Sequence, residues 1–298
     1  MKELVVISGK GGTGKTSIVA SFASLARNMV LADCDVDAAD LHLVMAPKIL
    51  RREEFRAGYE AIINKDLCTE CGKCRELCRY NAISEEFGVD RISCEGCGVC
   101  AEFCPAGAIE MRECTAGDWF VSETRFGPMV HARLGIAEEN SGKLVTMVRN
   151  HARELAEQKN SPLILVDGPP GIGCPVISSL TGASLVLVVT EPTLSGLHDM
   201  ERVLSLARFF KIPSVVCVNK YDLNPQITEK IEAQCRQQKV RLVGKIPYDN
   251  AVTRAQLMGK SVVEYSGSPV SMAIRRMWEE VAVVIAEEVL QRVVVRPA

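Results

Sequence analysis

The stretch Leu4-Val5-Val6-Ile7-Ser8-Gly9-Lys10-Gly11-Gly12-Thr13-Gly14-Lys15-Thr16 decides the fold. Its first five residues are apolar or small and read as a buried strand, which the glycines end. Ile18, Phe22, Leu25 and Ala26 then recur at helical spacing over residues 15–27. Strand, glycine loop and helix, in that order, turn a glycine-rich match into a phosphate loop. The glycines let backbone N–H groups of residues 9–14 close around phosphate oxygens, and the helix start at Lys15-Thr16-Ser17 adds its positive end. Lys15 is placed to reach terminal phosphates, and the Thr16 hydroxyl to ligate Mg2+.

Outward from this loop, residues 29–32 form a second buried run ending in the acidic string Asp33-Cys34-Asp35-Val36-Asp37. More continuous apolar runs lie at 163–167, 184–190, 214–218 and 242–243. Continuous rather than alternating runs suit parallel strands covered on both faces. Helical stretches separate them, for example at 197–210 and 225–238, so the βαβ pattern predicts an α/β fold with a doubly wound, mainly parallel sheet. A strand is expected at Trp119-Phe120-Val121-Ser122-Glu123 and a helix over 142–159, although residues 117–150 carry the weakest pattern in the chain.

With 298 residues, 47% hydrophobic and 24% charged, the chain can bury one large core and still hold a smaller module. A net charge of −2 gives no electrostatic reason to expect nucleic acid or an anionic membrane as partner. Five apolar or small residues before the glycines are too few for a signal peptide or a membrane span, so a cytoplasmic protein is expected. In that reducing compartment thirteen grouped cysteines point to metal rather than to disulfides.

Eight of the thirteen make a repeat: Cys68, Cys71, Cys74 and Cys78 recur 26 residues later as Cys94, Cys97, Cys100 and Cys104. Ala82-Ile83 recurs as Ala108-Ile109 at the same offset, which implies two similar half-domains. Residues 59–113 break the βαβ rhythm and read as an insertion, giving a nucleotide domain from 1–58 and 114–298 with a module between. C-x2-C-x2-C-x3-C occurring twice is the spacing of bacterial two-cluster ferredoxins, in which the fourth cysteine of each run serves the other cluster. On that pattern Cys68, Cys71, Cys74 and Cys104 hold one [4Fe–4S] cluster, and Cys94, Cys97, Cys100 and Cys78 hold the second. Zinc usually pairs one C-x2-C with a distant second pair, which is not this arrangement. Pro105 follows the second run as the ferredoxin pattern requires, whereas Arg79 follows the first.

Lys10 departs from an ordinary phosphate loop, and with it the motif resembles the deviant Walker A loop of the MinD, ParA, Mrp and nitrogenase iron-protein superfamily. The resemblance implies an ATPase that closes as a homodimer, or a heterodimer with a related ATPase, in which Lys10 acts across the interface on the partner's nucleotide. It further implies that Asp35 orients the attacking water, with Asp33 and Asp37 as alternatives. Asp167, in Leu165-Val166-Asp167-Gly168-Pro169-Pro170-Gly171, is similarly implied to hold Mg2+ through water. Asn219 and the Ile246-Pro247-Tyr248-Asp249 segment resemble the parts that flank the base, Asn219 and Pro247 being the candidates. Asn219-Lys220-Tyr221-Asp222 also resembles a guanine-reading motif, but the surrounding sequence matches the ATP-using relatives better.

The expected function is an ATP-binding and ATP-hydrolysing iron–sulfur protein that delivers electrons or a cluster to a redox or cluster-acceptor protein. The alternative is a MinD/ParA-like spatial organiser or regulatory ATPase. Against membrane targeting, residues 272–291 carry Glu279, Glu280, Glu287 and Glu288 beside a stripe of Ile274, Met277, Trp278, Val281, Val284 and Ile285 that reads as core-facing. A synthetase resembling cobyrinic acid a,c-diamide synthase ranks last, because the chain has no room for a glutaminase domain. Cys174 is read as a small buried residue in preference to a ligand of a dimer-bridging cluster, and Cys34, Cys217 and Cys235 as core.

Overall fold

The computed structural model describes residues 1–135 and 141–294, with side chains in the last helix described as far as Glu287. Two compact units emerge. The first comprises Met1–Arg52, Trp119–Arg133 and the chain from Ser141 onward; the second is built mainly of Glu53–Asp118.

Among the described residues nine strands form one sheet in the order β3-β4-β5-β2-β6-β1-β7-β8-β9. They are β1 (Lys2–Ser8), β2 (Met29–Asp33), β3 (Lys48–Ile63), β4 (Ile109–Thr124), β5 (Gly127–Leu134), β6 (Leu163–Pro170), β7 (Leu185–Thr190), β8 (Ser214–Asn219) and β9 (Arg241–Ile246). The helices are α1 (Lys15–Leu25), α2 (Leu41–Met45), α3 (Lys73–Leu77), α4 (Val99–Glu102), α5 (Ser141–Gln158), α6 (Cys174–Leu180), α7 (Leu194–Phe209), α8 (Pro225–Gln237), α9 (Ala251–Leu257), α10 (Val262–Tyr265) and α11 (Pro269–Val294). β1 pairs in parallel with β6 and β7, β2 with β5 and β6, and β8 with β7 and β9.

Successive residues of a strand point to opposite faces, and Leu4, Val5, Val6 and Ile7 are all fully buried, so both faces of the central sheet are covered. On one face Leu4 and Val6 join α1, α2 and α9 to α11 in a single core cluster. Phe22 of α1 meets Trp278 of α11 there at a ring separation of 4.8 Å. Ile274, Met277, Val281 and Val284 are buried in the same cluster, with Trp278 and Ile285 against it, so the apolar stripe of α11 faces the core. The Glu288 side chain and residues 136–140 of the weakly patterned segment lie outside the described residues. Among the described residues no helix is long and apolar enough to cross a membrane.

The mainly parallel α/β sheet expected from the apolar runs is therefore present. β3, β4 and β5 were not expected at this length. β3 reads KILRREEFRAGYEAII, whose first seven residues are exposed, so no apolar run announces it. It also continues unbroken past residue 58, where a boundary was expected. Within the second unit the internal repeat has a structural counterpart. Gly72 precedes α3 with φ 79°, and Gly98, 26 residues on, precedes α4 with φ 77°. Both lie in the left-handed region that favours glycine.

Candidate nucleotide site and cysteine cavities

The phosphate loop hangs from the buried end of β1 and opens α1 at Lys15. Gly14 stands at φ 91°, and a Cβ there would sit 2.5 Å from Asn219 Nδ2, so only glycine fits. The first turn of α1 carries no acidic residue, leaving its N–H groups and positive dipole end to an anion. Gly11, Gly12, Gly14, Lys15, Thr16, Ser17, Asp35, Asn219 and Pro247 together line one open cleft of about 680 Å³. Gly9, Lys10, Thr13 and Asp167 do not line it.

Lys15 is buried and its Nζ lies 3.7 Å from Asp35 Oδ2. Asp37 is exposed and Asp33 fully buried, so of the three aspartates only Asp35 faces the cleft. Burial raises the Asp35 carboxyl, a rise opposed by Lys15. Behind it, Asp33 of β2 and Asp167 of β6 are register partners on adjacent strands. Asp33 Oδ1 accepts the Asp35 N–H at 3.2 Å, whereas Asp33 Oδ2 and both carboxylate oxygens of Asp167 are buried without a partner. Burial drives Asp33 well up, and raises Asp167 to about 7 against the pull of Lys15 and the neighbouring Thr16 side chain. Buried carboxylates left this way are expensive unless a cation joins them. The oxygen-only donor set of Thr16 and Asp167 fits Mg2+.

At the other end, Asn219 Nδ2 donates to the Thr13 carbonyl at 2.8 Å and Lys220 Nζ to that of Gly12 at 3.2 Å. Asp222 Oδ1 accepts the Tyr248 N–H at 2.7 Å and lies outside the cleft lining. One oxygen of the carboxylate that would read guanine in such a motif thus braces the Pro247-Tyr248 strap. Lys10 pairs with Glu191 Oε1 at 2.5 Å and also reaches Thr193 Oγ1 and Ser195 Oγ. Lys220 joins the same Glu191 at 3.4 Å. Burial raises the Glu191 carboxyl, but Lys10 and then Lys220 outweigh it and hold it below its ordinary value. Glu191, Thr193, Ser195 and Lys220 were not picked out as site residues from the sequence.

In the second unit, Cys68, Cys71, Cys74 and Cys104 line one small cavity. Cys78, Cys94, Cys97 and Cys100 line another. Backbone N–H groups near the cysteines point at sulfur. Cys68 Sγ accepts from Glu70 N, and Cys104 Sγ from Ala108 N, both at 3.4 Å. Cys74 and Cys100 are raised by burial, with Arg75 N–H and Ala101 N–H opposing. Among the described residues no group of three or more His, Cys, Asp or Glu is arranged to chelate a single metal ion. Cys174, expected to be buried, is exposed at the start of α6, where Gly173 is the N-cap. Cys34, Cys217 and Cys235 are buried, as core residues would be.

A parallel α/β sheet, a glycine loop opening a helix at a buried lysine, and a buried, partnerless Asp167 carboxylate on the neighbouring strand define a P-loop nucleotide-binding protein. More narrowly, the chain belongs to the CobQ/CobB/MinD/ParA nucleotide-binding domain family, whose model matches residues 4–262. It is 34% identical over 283 residues to an uncharacterized protein of Methanocaldococcus jannaschii, covering 93% of this chain and 95% of that one. In fold it is similar to the cell division ATPase MinD of Pyrococcus furiosus, with TM-score 0.58, 19% identity and coverage of 95% and 99%. The septum site-determining protein MinD of Pyrococcus horikoshii, solved with Mg-ADP, gives TM-score 0.59, 18% identity and coverage of 96% and 98%. The family model thus gives a nucleotide-binding domain, and the solved structures, at 18–19% identity, its fold.

Proposed function

We propose that the chain is an ATP-driven switch of the MinD/ParA kind, hydrolysing ATP slowly and closing on a second copy or a related chain to act on a protein partner. The observation that carries this reading is the pairing of Lys15 with Asp35 at 3.7 Å beside the partnerless Asp167 carboxylate. A triphosphate entering the cleft draws Lys15 toward its terminal phosphates and frees Asp35 to orient water. Thr16 and Asp167 would hold Mg2+, which when bound neutralises phosphate charge. Lys10, leaving Glu191, would add a cation across the dimer. Light scattering with ATP and with ADP tests it: ATP should roughly double the mass, and Lys15→Ala should prevent this. A mass indifferent to ATP overturns the proposal.

A second reading rests on the two cysteine cavities, each lined by the quartet that the interleaved ferredoxin pattern requires. On it, the second unit is a ferredoxin-like module. Cys68, Cys71, Cys74 and Cys104 would hold one [4Fe–4S] cluster and Cys78, Cys94, Cys97 and Cys100 the other. Bound clusters would supply one-electron redox chemistry, and the N–H groups of Glu70, Arg75, Ala101 and Ala108 would stabilise the charged sulfurs. Anaerobic preparation should give a brown protein with about eight irons per chain and a cubane EPR signal on reduction. A colourless, iron-free product removes this second reading and leaves the first standing.

A further inference from the structure

Arg125 sits in the two-residue turn between β4 and β5. Its guanidinium has five N–H donors, and the structure gives them five acceptors. Nε donates to Glu264 Oε1 at 2.8 Å and Nη2 to Glu264 Oε2 at 2.9 Å. Nη1 donates to the carbonyls of Val44 at 2.9 Å and Met45 at 3.1 Å, and Nη2 to that of Gly259 at 3.1 Å. Glu264 is itself fixed by a capping box with Ser261, and the guanidinium stacks 4.7 Å over the Phe126 ring. The turn is braced by Thr124 Oγ1, which donates to Gly127 O and accepts from Phe126 N.

The acceptors matter because of where they lie. Val44 and Met45 end α2, and helix-terminal carbonyls lack partners within their own helix. α2 follows the aspartate string, and its Leu43 and Val44 line the nucleotide cleft. Gly259 follows α9, whose Gln256 and Leu257 line the same cleft. Two cleft walls are therefore tied to one side chain. The chain leaves α2 through only Ala46 and Pro47 before β3, the outgoing strand of the cysteine-bearing segment. β4, the returning strand, ends at Thr124, immediately before Arg125.

We infer that Arg125 is a positioning residue that couples the nucleotide state of the cleft to β3 and β4, the strands that carry the cysteine-bearing segment. The inference rests on the nucleotide-switch reading and not on the presence of iron. When α2 shifts around a bound triphosphate, its Val44 and Met45 carbonyls pull on Arg125, so both strand roots move together. Lysine cannot substitute, since a single ammonium cannot span one carboxylate and three carbonyls from separate segments.

Hydrogen–deuterium exchange on the anaerobically prepared full chain, with and without Mg-AMPPNP, tests this. In the wild type the nucleotide should slow exchange about five-fold at residues 9–17, at α2, and in β3 and β4. In Arg125→Lys the slowing at 9–17 should persist, while that in β3 and β4 falls below about two-fold. Glu264→Gln, which weakens the clamp without removing Arg125, should fall between the two, and serves if Arg125→Lys does not fold. Retention of the full wild-type response in β3 and β4 by both variants overturns the inference, as does a wild-type response confined to 9–17 and α2. No nucleotide response anywhere in the wild type sinks the switch reading itself.

Discussion

Lys10 Nζ lies 2.5 Å from Glu191 Oε1, so the lysine that distinguishes this phosphate loop is held by its own chain. Thr193 and Ser195 add hydroxyl acceptors at 3.4 and 3.3 Å, and Lys220 ties Glu191 to the Gly12 carbonyl. To serve a nucleotide across a dimer, Lys10 must first leave this nest. The pair is partly exposed, with side chains 33% and 16% accessible, so its hold is modest.

Glu191→Gln should therefore strengthen ATP-dependent self-association by about five-fold, equivalent to roughly 1 kcal/mol, by lowering the cost of releasing Lys10. Sedimentation equilibrium with ATP measures it. Weaker association would mean that Glu191 contributes to the closed state instead.

Asp222 braces the base strap through the Tyr248 N–H at 2.7 Å. Removing that acceptor in Asp222→Ala leaves the amide to water and loosens the strap. ATP affinity should fall about five- to ten-fold, with GTP remaining the weaker ligand in both proteins. A wild type that prefers GTP in competition titration would restore the guanine-reading interpretation of Asn219-Lys220-Tyr221-Asp222.

What the sequence made legible follows from chemistry confined to short windows. β1, β2, β6, β7 and β8 are continuous apolar runs buried on both faces, and the glycine loop is contiguous, so periodicity and motif spacing sufficed. β3 escaped because its first residues are exposed and charged. Glu191 and Arg125 escaped because their partners are distant in sequence: Lys10 is 183 residues from Thr193, and Arg125 is 139 from Glu264. Cys174 was read as a small buried residue, but as the first residue of α6 it is exposed.

The cavity linings give the cysteine assignment a sharp test. Cys78 belongs by sequence to the first run but shares a cavity with Cys94, Cys97 and Cys100. If clusters bind, Cys78→Ala and Cys94→Ala should each lose about four irons and leave the same residual EPR spectrum. Cys74→Ala should leave the complementary one. Should Cys78→Ala match Cys74→Ala instead, each run closes its own cluster and the interleaved assignment is wrong.

His131 supplies a pH dependence that stands apart from nucleotide and iron. It is buried on β5, shares a 2.9 Å hydrogen bond with Ser122 Oγ, and stacks on Phe120 at 4.8 Å. Burial, with a lesser contribution from His42, lowers its pKa from 6.5 to about 4. In the unfolded chain the imidazole takes up a proton near its ordinary value, while the folded one stays neutral down to about 4. Between those limits the unfolded state binds more protons, so stability rises with pH. The contribution is fully present above about 6.5 and is lost as pH falls toward 4, amounting to about 3 kcal/mol over the window. Urea unfolding at pH 7.5 and 5 should show the wild type losing about 2 kcal/mol more than His131→Gln, which can keep a hydrogen bond to Ser122 but cannot titrate. Equal losses in the two proteins would mean that His131 is protonated within the fold and that carboxylates alone set the acid limit.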